Sequence, residues 1–313
     1  MIGRVGRSVW IRALITAIVL ALLLRKISLA ETVATLIRLR VDYALAVLLL
    51  LALDRLVMVW RWIILLRATG QTIGTKSAVW IYLVSSFIGS FLPAGVGGDA
   101  ARAYSLARRT SEGSAAVASV AVDRLLGLLS LVVVAAFGLL MAPAGGPTAG
   151  ARGPLLVVCL VAALVLAAFL WSDRWLFAAS GPLAGLVRLA SAVGRYRNHR
   201  SALAAVLSLS IGVQLLRIAQ AWLLGRGIGI EVSFSYYLLF MPVGLVALML
   251  PISLNGFGVP QGIIVWLLRP VGVSSTDAFA LSTLIVLSGI LANLPGAWLY
   301  LRAGRSSGAQ VEA

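Results

Sequence analysis

The sequence predicts an all-α polytopic membrane protein, with about six full crossings and two re-entrant helical hairpins arranged as an inverted repeat. Three observations carry that prediction: the composition, the placement of two Pro/Gly breaks, and the distribution of bases among the loops. Of 313 residues, 61% are hydrophobic and 12% charged, and the mean hydropathy is +1.03. Soluble domains are roughly half apolar and about a quarter charged. Several windows exceed the roughly 18 apolar residues that mark a helix crossing about 30 Å of hydrocarbon.

Apolar helices are read at Val9–Leu24, Tyr43–Leu66, Ala78–Leu92, Ala115–Leu140, Leu155–Trp171, Ala202–Leu224, Phe234–Leu250 and Ala278–Leu301. The first follows Arg4 and Arg7 and precedes "SLA" at Ser28–Ala30, a signal-peptide-like pattern. Arg25 and Lys26 interrupt the run just before that site, which argues against cleavage. The third and seventh helices end at Pro93 and Pro251, each inside a Pro/Gly break rather than a charged loop. Ser172–Arg200 alternates apolar residues with five arginines and reads as a cytoplasmic, basic interfacial segment. The loops and termini are too short to bury a core of their own, so residues 1–313 read as a single transmembrane domain.

Charge orients these segments. Arg4, Arg7 and Arg12 place the N-terminus in the cytoplasm, and Arg302 and Arg305 place the C-terminus there. The loops before and after Ala78–Leu92 both carry bases, Arg67 and Lys76 on one side and Arg102, Arg108 and Arg109 on the other. A helix cannot cross once and return to the same side, so this segment reads as re-entrant. The base-poor loops around Phe234–Leu250 give the mirror result from the opposite leaflet. Arg25–Asp42, with four bases against two acids, is an exception to the rule on the outer side. The net charge of +16 belongs to orientation and anionic lipid rather than to nucleic acid.

The two breaks resemble each other. "LPAGVGGDAARA" from Leu92 parallels "LPISLNGFGVPQG" from Leu250, and Ser114–Leu129 lies on Thr276–Leu291 without gaps. The repeats run around 78–140 and 234–301, and opposite topology makes them an inverted pair, an architecture of alternating-access transporters. Non-helical backbone at membrane depth is tolerated only in protein or beside a wet cavity. Asp99 opens the helix after the first break, as a cap or as part of a site. Arg102, at i+3, lies on the same face and can pair with Asp99 or with a phosphate.

"PAGVGGDAARAY", then "VDRLLGLLSL" at Val122–Leu131, then "LPISLNGFGVPQG" resemble the lysylphosphatidylglycerol synthase transmembrane region, a flippase-like integral membrane family. The resemblance runs from about Ile11 to Arg302. It implies a role for Gly98, Asp99 and Arg102, with Asp123 and Arg124 in the next helix, in moving lipid across the bilayer. It covers the membrane part only, so lipid aminoacylation is not implied. Gln261 stands where the family pattern often has a Glu.

Ionisable groups at membrane depth are costly and mark functional sites. The substrate-binding candidates are Gly98, Asp99, Arg102, Asp123, Arg124, Asn255, Gly256 and Gln261, and secondary candidates are Asp54, Arg61, Gln214, Arg217 and Asn293. Arg61 lies two turns from Asp54, so Asp54 is expected to pair elsewhere. Each arginine either binds phosphate or ties helices together. The lone Cys159 and lone His199 offer no disulfide or metal set, and His199 reads as a solvated loop residue. No metal-binding DxxD, nucleotide loop or paired histidine supports an enzyme, so no catalytic residue and no cofactor is assigned. The expected function is a lipid translocase of the inner membrane that moves a phospholipid or isoprenoid-linked lipid. A non-catalytic accessory subunit or membrane enzyme of envelope synthesis, and an ion-coupled small-molecule transporter, are the alternatives. Membrane lipids are the expected partners; a separate lipid-modifying enzyme and a homodimer are open.

Overall fold

The computed structural model describes residues 29–91, 96–110, 112–141, 184–249 and 258–308, with a few helical positions between 160 and 171. Among the described residues every regular element is helical: α1 (Leu29–Ile37), α2 (Val41–Ala68), α3 (Thr75–Gly89), α4 (Val96–Ala107), α5 (Gly113–Met141), α6 (Ala184–Gly194), α7 (Arg200–Gly227), α8 (Phe234–Met249), α9 (Val259–Leu268), α10 (Ser275–Ala292) and α11 (Leu294–Gly308). Short 3₁₀ turns follow α6 and α9. Four stretches are long and apolar enough to cross a membrane: Val41–Ala68, Gly113–Met141, Arg200–Gly227 and Ser275–Ala303. The chain is a multi-pass membrane protein. The expected spans Val9–Leu24 and, but for a few residues, Leu155–Trp171 lie outside the described residues.

The outer face of α2 shows why this bundle suits lipid. Leu45, Leu49, Leu53, Leu56 and Trp60 are all exposed and recur at three- and four-residue spacing. Its inner face buries Leu51, Asp54, Val59, Arg61 and Trp62. An apolar outside and a polar inside reverse the soluble pattern. Lipid tails are as apolar as leucine, so small-residue crossings and polar ties must hold such helices together.

Contacts fix the directions of the long helices. Asp54 meets Arg217 and Arg61 meets Ser210, so α2 and α7 run antiparallel. Trp62 bonds Ser119 while Arg61 reaches Asp123, which makes α2 and α5 antiparallel too. Arg55 bonds Asn293 while Thr35, before α2, bonds Asp277, so α10 runs parallel to α2.

Two helical hairpins fill the bundle. Gly89 abuts Gly98, and the Arg102 guanidinium lies over the Tyr82 ring, so α4 runs back along α3. Tyr236 donates to the Leu267 carbonyl and Gly244 faces Ile264, so α9 likewise runs back along α8. At 15 and 12 residues, α3 and α4 are too short to cross, given a need of about 20. The open end of α3–α4 lies where α2 ends and α5 begins. The open end of α8–α9 lies at the other end, where Tyr237 packs beside Gly225 near the close of α7. The two hairpins therefore open at opposite ends of the bundle.

Glycine lets two helix pairs cross closely. A Cβ on Gly138 of α5 would stand 2.5 Å from the Leu238 carbonyl oxygen of α8. That carbonyl is the one Pro242 cannot bond inside α8. A Cβ on Gly296 of α11 would collide with the Leu83 carbonyl of α3. The helix expected as continuous over Ala278–Leu301 is divided at Asn293, because Pro295 has no N–H to return to Leu291. The expected interfacial segment 172–200 is described from Ala184 on: Val193 and Tyr196 bury against Val122 and Leu126 of α5. Residues 172–183 lie outside the described set. At that end Glu112 pairs with Arg195 at 2.7 Å, which holds its carboxyl below the usual range. Burial pushes the Tyr196 hydroxyl up to about 12.

Candidate functional site

The site is assembled from the α3–α4 hairpin, the helix break at Asn293 and five further helices, α2, α5, α7, α8 and α10. Glycine decides its geometry. Gly98 sits against the Ser85 carbonyl oxygen, where a Cβ would approach to 2.9 Å, and a Cβ on Gly89 would stand 2.8 Å from the Gly98 Cα. This close approach of α4 to α3 carries Asp99 and Arg102 toward the middle of α5. Helix α4 starts at Val96, three residues before Asp99. The Asp99 carboxylate is thus not the helix cap allowed for by the sequence. It pairs with Arg102 at 3.1 Å and with Arg124.

Arg102 is buried and lies between two carboxylates, 3.1 Å from Asp99 and 3.1 Å from Asp123. Its guanidinium also lies over the rings of Trp62 (5.2 Å) and Tyr82 (5.0 Å), a stacking that suits the weakly hydrated arginine plane. Asp123 holds Arg61 at 2.9 Å, and Arg61 donates to Ser210 at 2.8 Å. Gly127 leaves room for that guanidinium, 3.6 Å from where its Cβ would be. The result is one ionic chain, Arg61–Asp123–Arg102–Asp99–Arg124.

A second chain lies beside it. Asp54 holds Arg55 and Arg217, each at 2.9 Å, so its partners are a sequence neighbour and a residue 163 positions away. Arg55 also donates to the Asn293 side-chain oxygen at 2.9 Å, and the Asn293 amide donates to Ser90 at 2.8 Å. Gln214 donates to the Gly127 carbonyl, and its own oxygen has no partner among the described residues.

Most of these groups line a polar chamber of about 250 Å³, walled by Arg61, Ser85, Arg102, Asp123, Gln214 and Asn293 among others. A second cavity of about 720 Å³ adjoins it, lined mainly by apolar side chains such as Leu51, Val117, Leu128, Leu224, Met241 and Leu245. Arg55, Asp99, Arg124 and Arg217 line both. They form the seam between a charged compartment and a greasy one.

Ten of the thirteen residues singled out from sequence meet at this place: Gly98, Asp99, Arg102, Asp123, Arg124, Asp54, Arg61, Gln214, Arg217 and Asn293. Gln261 does not line either cavity. It is buried in the second hairpin, where its Oε1 accepts from the Gly258 N–H at 2.5 Å. Asn255 and Gly256 lie outside the described residues. The second hairpin contributes Met241 and Leu245 instead, to the apolar cavity. Sequence reasoning missed Ser85, Ser86 and Ser90 of the chamber, although "SSFIGS" just before the first break was a visible polar signal in an apolar helix. Gln220 and Ser288 of the larger cavity were missed as well.

The family model of the lysylphosphatidylglycerol synthase transmembrane region matches residues 9–296, nearly the whole chain. No curated protein matches it.

Proposed function

The chain belongs to the lysylphosphatidylglycerol synthase transmembrane-region family, and from that premise we propose that it is a lipid translocase of the cell membrane, not an enzyme. The observation that carries this reading is the junction of the two cavities at Arg55, Asp99, Arg124 and Arg217. An amphiphile needs a polar compartment for its head and an apolar one for its chains, in contact with each other. Arginine suits the head because its planar fork matches two phosphate oxygens at once.

The hairpins supply the path. Ser90, at the tip of the first, meets Asn293 and through it Arg55, the middle of the 28-residue α2. A hairpin that ends halfway along a span reaches the bilayer midplane, and its entrance opposite that of α8–α9 supports six crossings with an inverted pair of re-entrant hairpins. In this arrangement both termini are cytoplasmic. The crossings of α11 on α3 and α5 on α8 pair the repeats reciprocally. Rocking of one hairpin against the other exposes the chamber to each leaflet in turn.

The test is lipid movement in proteoliposomes. A headgroup-labelled lipid should equilibrate between leaflets, read by quenching with a membrane-impermeant reductant, and Arg124→Gln should slow it at least tenfold without lowering the melting temperature below that of an Arg188→Gln control. If the wild type does not equilibrate any lipid, the accessory-subunit reading replaces this one; if the variant moves lipid at the wild-type rate, Arg124 only ties helices together and the head is not held at this seam.

A further inference from the structure

The larger cavity holds a polar group that the bundle does not use. Apart from the charged groups at and beside the seam its wall is apolar, and the uncharged polar side chains among its described residues are Gln220 and Ser288. The Ser288 hydroxyl donates to the Ile285 carbonyl of its own helix at 2.8 Å. Gln220 is 6% exposed, and its Nε2 meets no hydrogen-bond partner among the described residues. Other buried donors of α7 are taken up: Ser210 donates to the Val206 carbonyl, and the Gln214 amide donates to the Gly127 carbonyl. A buried donor without an acceptor is costly. An amide kept in a greasy wall at that cost points to an acceptor that arrives with a ligand.

Its place along α7 tells which acceptor. The residues of α7 that line the cavity are Arg217, Gln220, Ala221 and Leu224, a stripe on one face at helical spacing. In order, the stripe passes from a charge at the seam to an amide and then to aliphatic groups. Gln220 lies one turn beyond Arg217, about 4.5 Å along the axis. It lines the larger cavity and not the polar chamber. Asp54 pairs with Arg217 and the two helices run antiparallel, so Leu51 of α2 stands at the level of Gln220, also in the wall. The amide thus marks the boundary where charge gives way to hydrocarbon. A diacyl phospholipid with its phosphate at the seam has the same order: charge, then ester carbonyls a few bonds away, then chains. A polyprenyl phosphate has no such middle layer, and an ether lipid has oxygen there but no carbonyl.

Resting on the translocase reading, we infer that Gln220 is a specificity-determining residue: its amide donates to the carbonyl oxygen of an ester that joins an acyl chain to the head, so the site prefers acyl-ester lipids to ether-linked lipids and isoprenoid phosphates. A site that offers a hydrogen bond rejects the analogue that cannot take it, because the buried group is then left unpaired. The acyl chain continues along Leu51, Leu224 and Leu245.

The experiment uses the full chain in non-ionic detergent and three probes that present the same phosphate: dihexanoyl phosphatidate, its di-O-hexyl ether analogue, and farnesyl phosphate. Calorimetric titration should show the diacyl lipid binding at least about tenfold tighter than the diether, the scale of one hydrogen bond from a buried donor. Gln220→Leu should bring the diacyl lipid down to the level of the diether. Because the amide ties nothing in the empty protein, Gln220→Leu should leave the melting temperature at or above the wild-type value, which loss of a structural glutamine would lower. Gln220→Met, unbranched and similar in length, repeats the loss of the donor should the leucine variant not fold. Equal binding of the diacyl and diether lipids by the wild type, or farnesyl phosphate binding as tightly as the diacyl lipid, overturns the inference. A preference that survives in the variants overturns it too, as does a lower melting temperature with affinity for all three probes falling alike. If no probe binds while labelled lipid still moves in proteoliposomes, this inference falls and the translocase reading stands. If no probe binds and no lipid moves, both fall.

Discussion

Ser90 and Asn293 are joined by a 2.8 Å hydrogen bond across 203 residues of chain. The first is the residue after α3 at the tip of a hairpin, and the second is the break between α10 and α11. The same asparagine accepts from Arg55. One amide therefore fastens the end of the hairpin to the middle of α2.

Replacing Asn293 by alanine should release both ends of this tie. The Arg55 guanidinium and the Ser90 hydroxyl lose a partner, at a cost of about 1–3 kcal/mol. Thermal melting in detergent should fall accordingly, and Asn293→Asp, which keeps the acceptor for Arg55, should lose less.

Asp54 is the only anion in the smaller chain, buried between Arg55 and Arg217. Asp54→Asn should destabilise the protein by about 3–5 kcal/mol, since breaking a buried pair strands its partners. Adding Arg217→Gln should recover part of that loss. A double-mutant cycle in denaturant reads the coupling, and additive losses would show the contact to be idle.

Gly138→Leu and Gly296→Leu should each destabilise by about 1–3 kcal/mol or more, because the new side chain meets a backbone carbonyl that cannot swing aside. Gly212 of α7 has open space at its Cβ position. Gly212→Ala should be neutral or stabilising by up to about 1 kcal/mol. Melting temperatures of the three variants check the contrast.

Single cysteines at Lys76 and Arg108, in a Cys159→Ser background, should react with an impermeant thiol reagent from one side of the membrane. Cysteines at Ser233 and Val271 should react from the other. Labelling of Lys76 and Arg108 positions from opposite sides would remove the first re-entrant hairpin from the scheme.

The exposed pair Glu112–Arg195 links the start of α5 to the turn after α6. Its carboxyl is held below the ordinary value of 4.5, first by the hydrogen bond from Arg195 and then by its charge. A lowered carboxyl contributes stability above its unfolded value and loses it as pH falls through the folded one. Between pH 6 and pH 3 the wild type should lose slightly more melting temperature than Glu112→Gln, and high salt should shrink that difference.

The helices were legible because apolar length is a one-dimensional property, and α2, α5 and α7 fall within a few residues of their expected bounds. Spacing alone also pointed Asp54 away from Arg61, and its partners are Arg55 and Arg217. What the sequence could not show was which carboxylate each arginine takes. Arg102 and Asp123 are 21 positions apart on different helices, and only the Gly89–Gly98 approach brings them together. The apolar cavity left no trace in the pattern, because Leu51 and Val117 look like any other lipid-zone residues. The break at Asn293 was readable from Pro295, but a long apolar run masked it.

The two glycine crossings have a mechanical meaning. Gly296 seats α11 directly on α3 and Gly138 seats α5 directly on α8, so in the proposed rocking each hairpin would move with a helix of the other half. Each half of the chain thus holds the other's movable part, like hands clasped across a hinge. Between the two clasped bodies lies the contact of α4 with α5, made by Arg102–Asp123 and Arg124–Asp99. Ion pairs can slide and re-pair where interlocked side chains would jam. In the translocase proposed above, the sliding surface and the ligand site would be one set of charges, so a bound head would fix the angle between the bodies and its departure would free it.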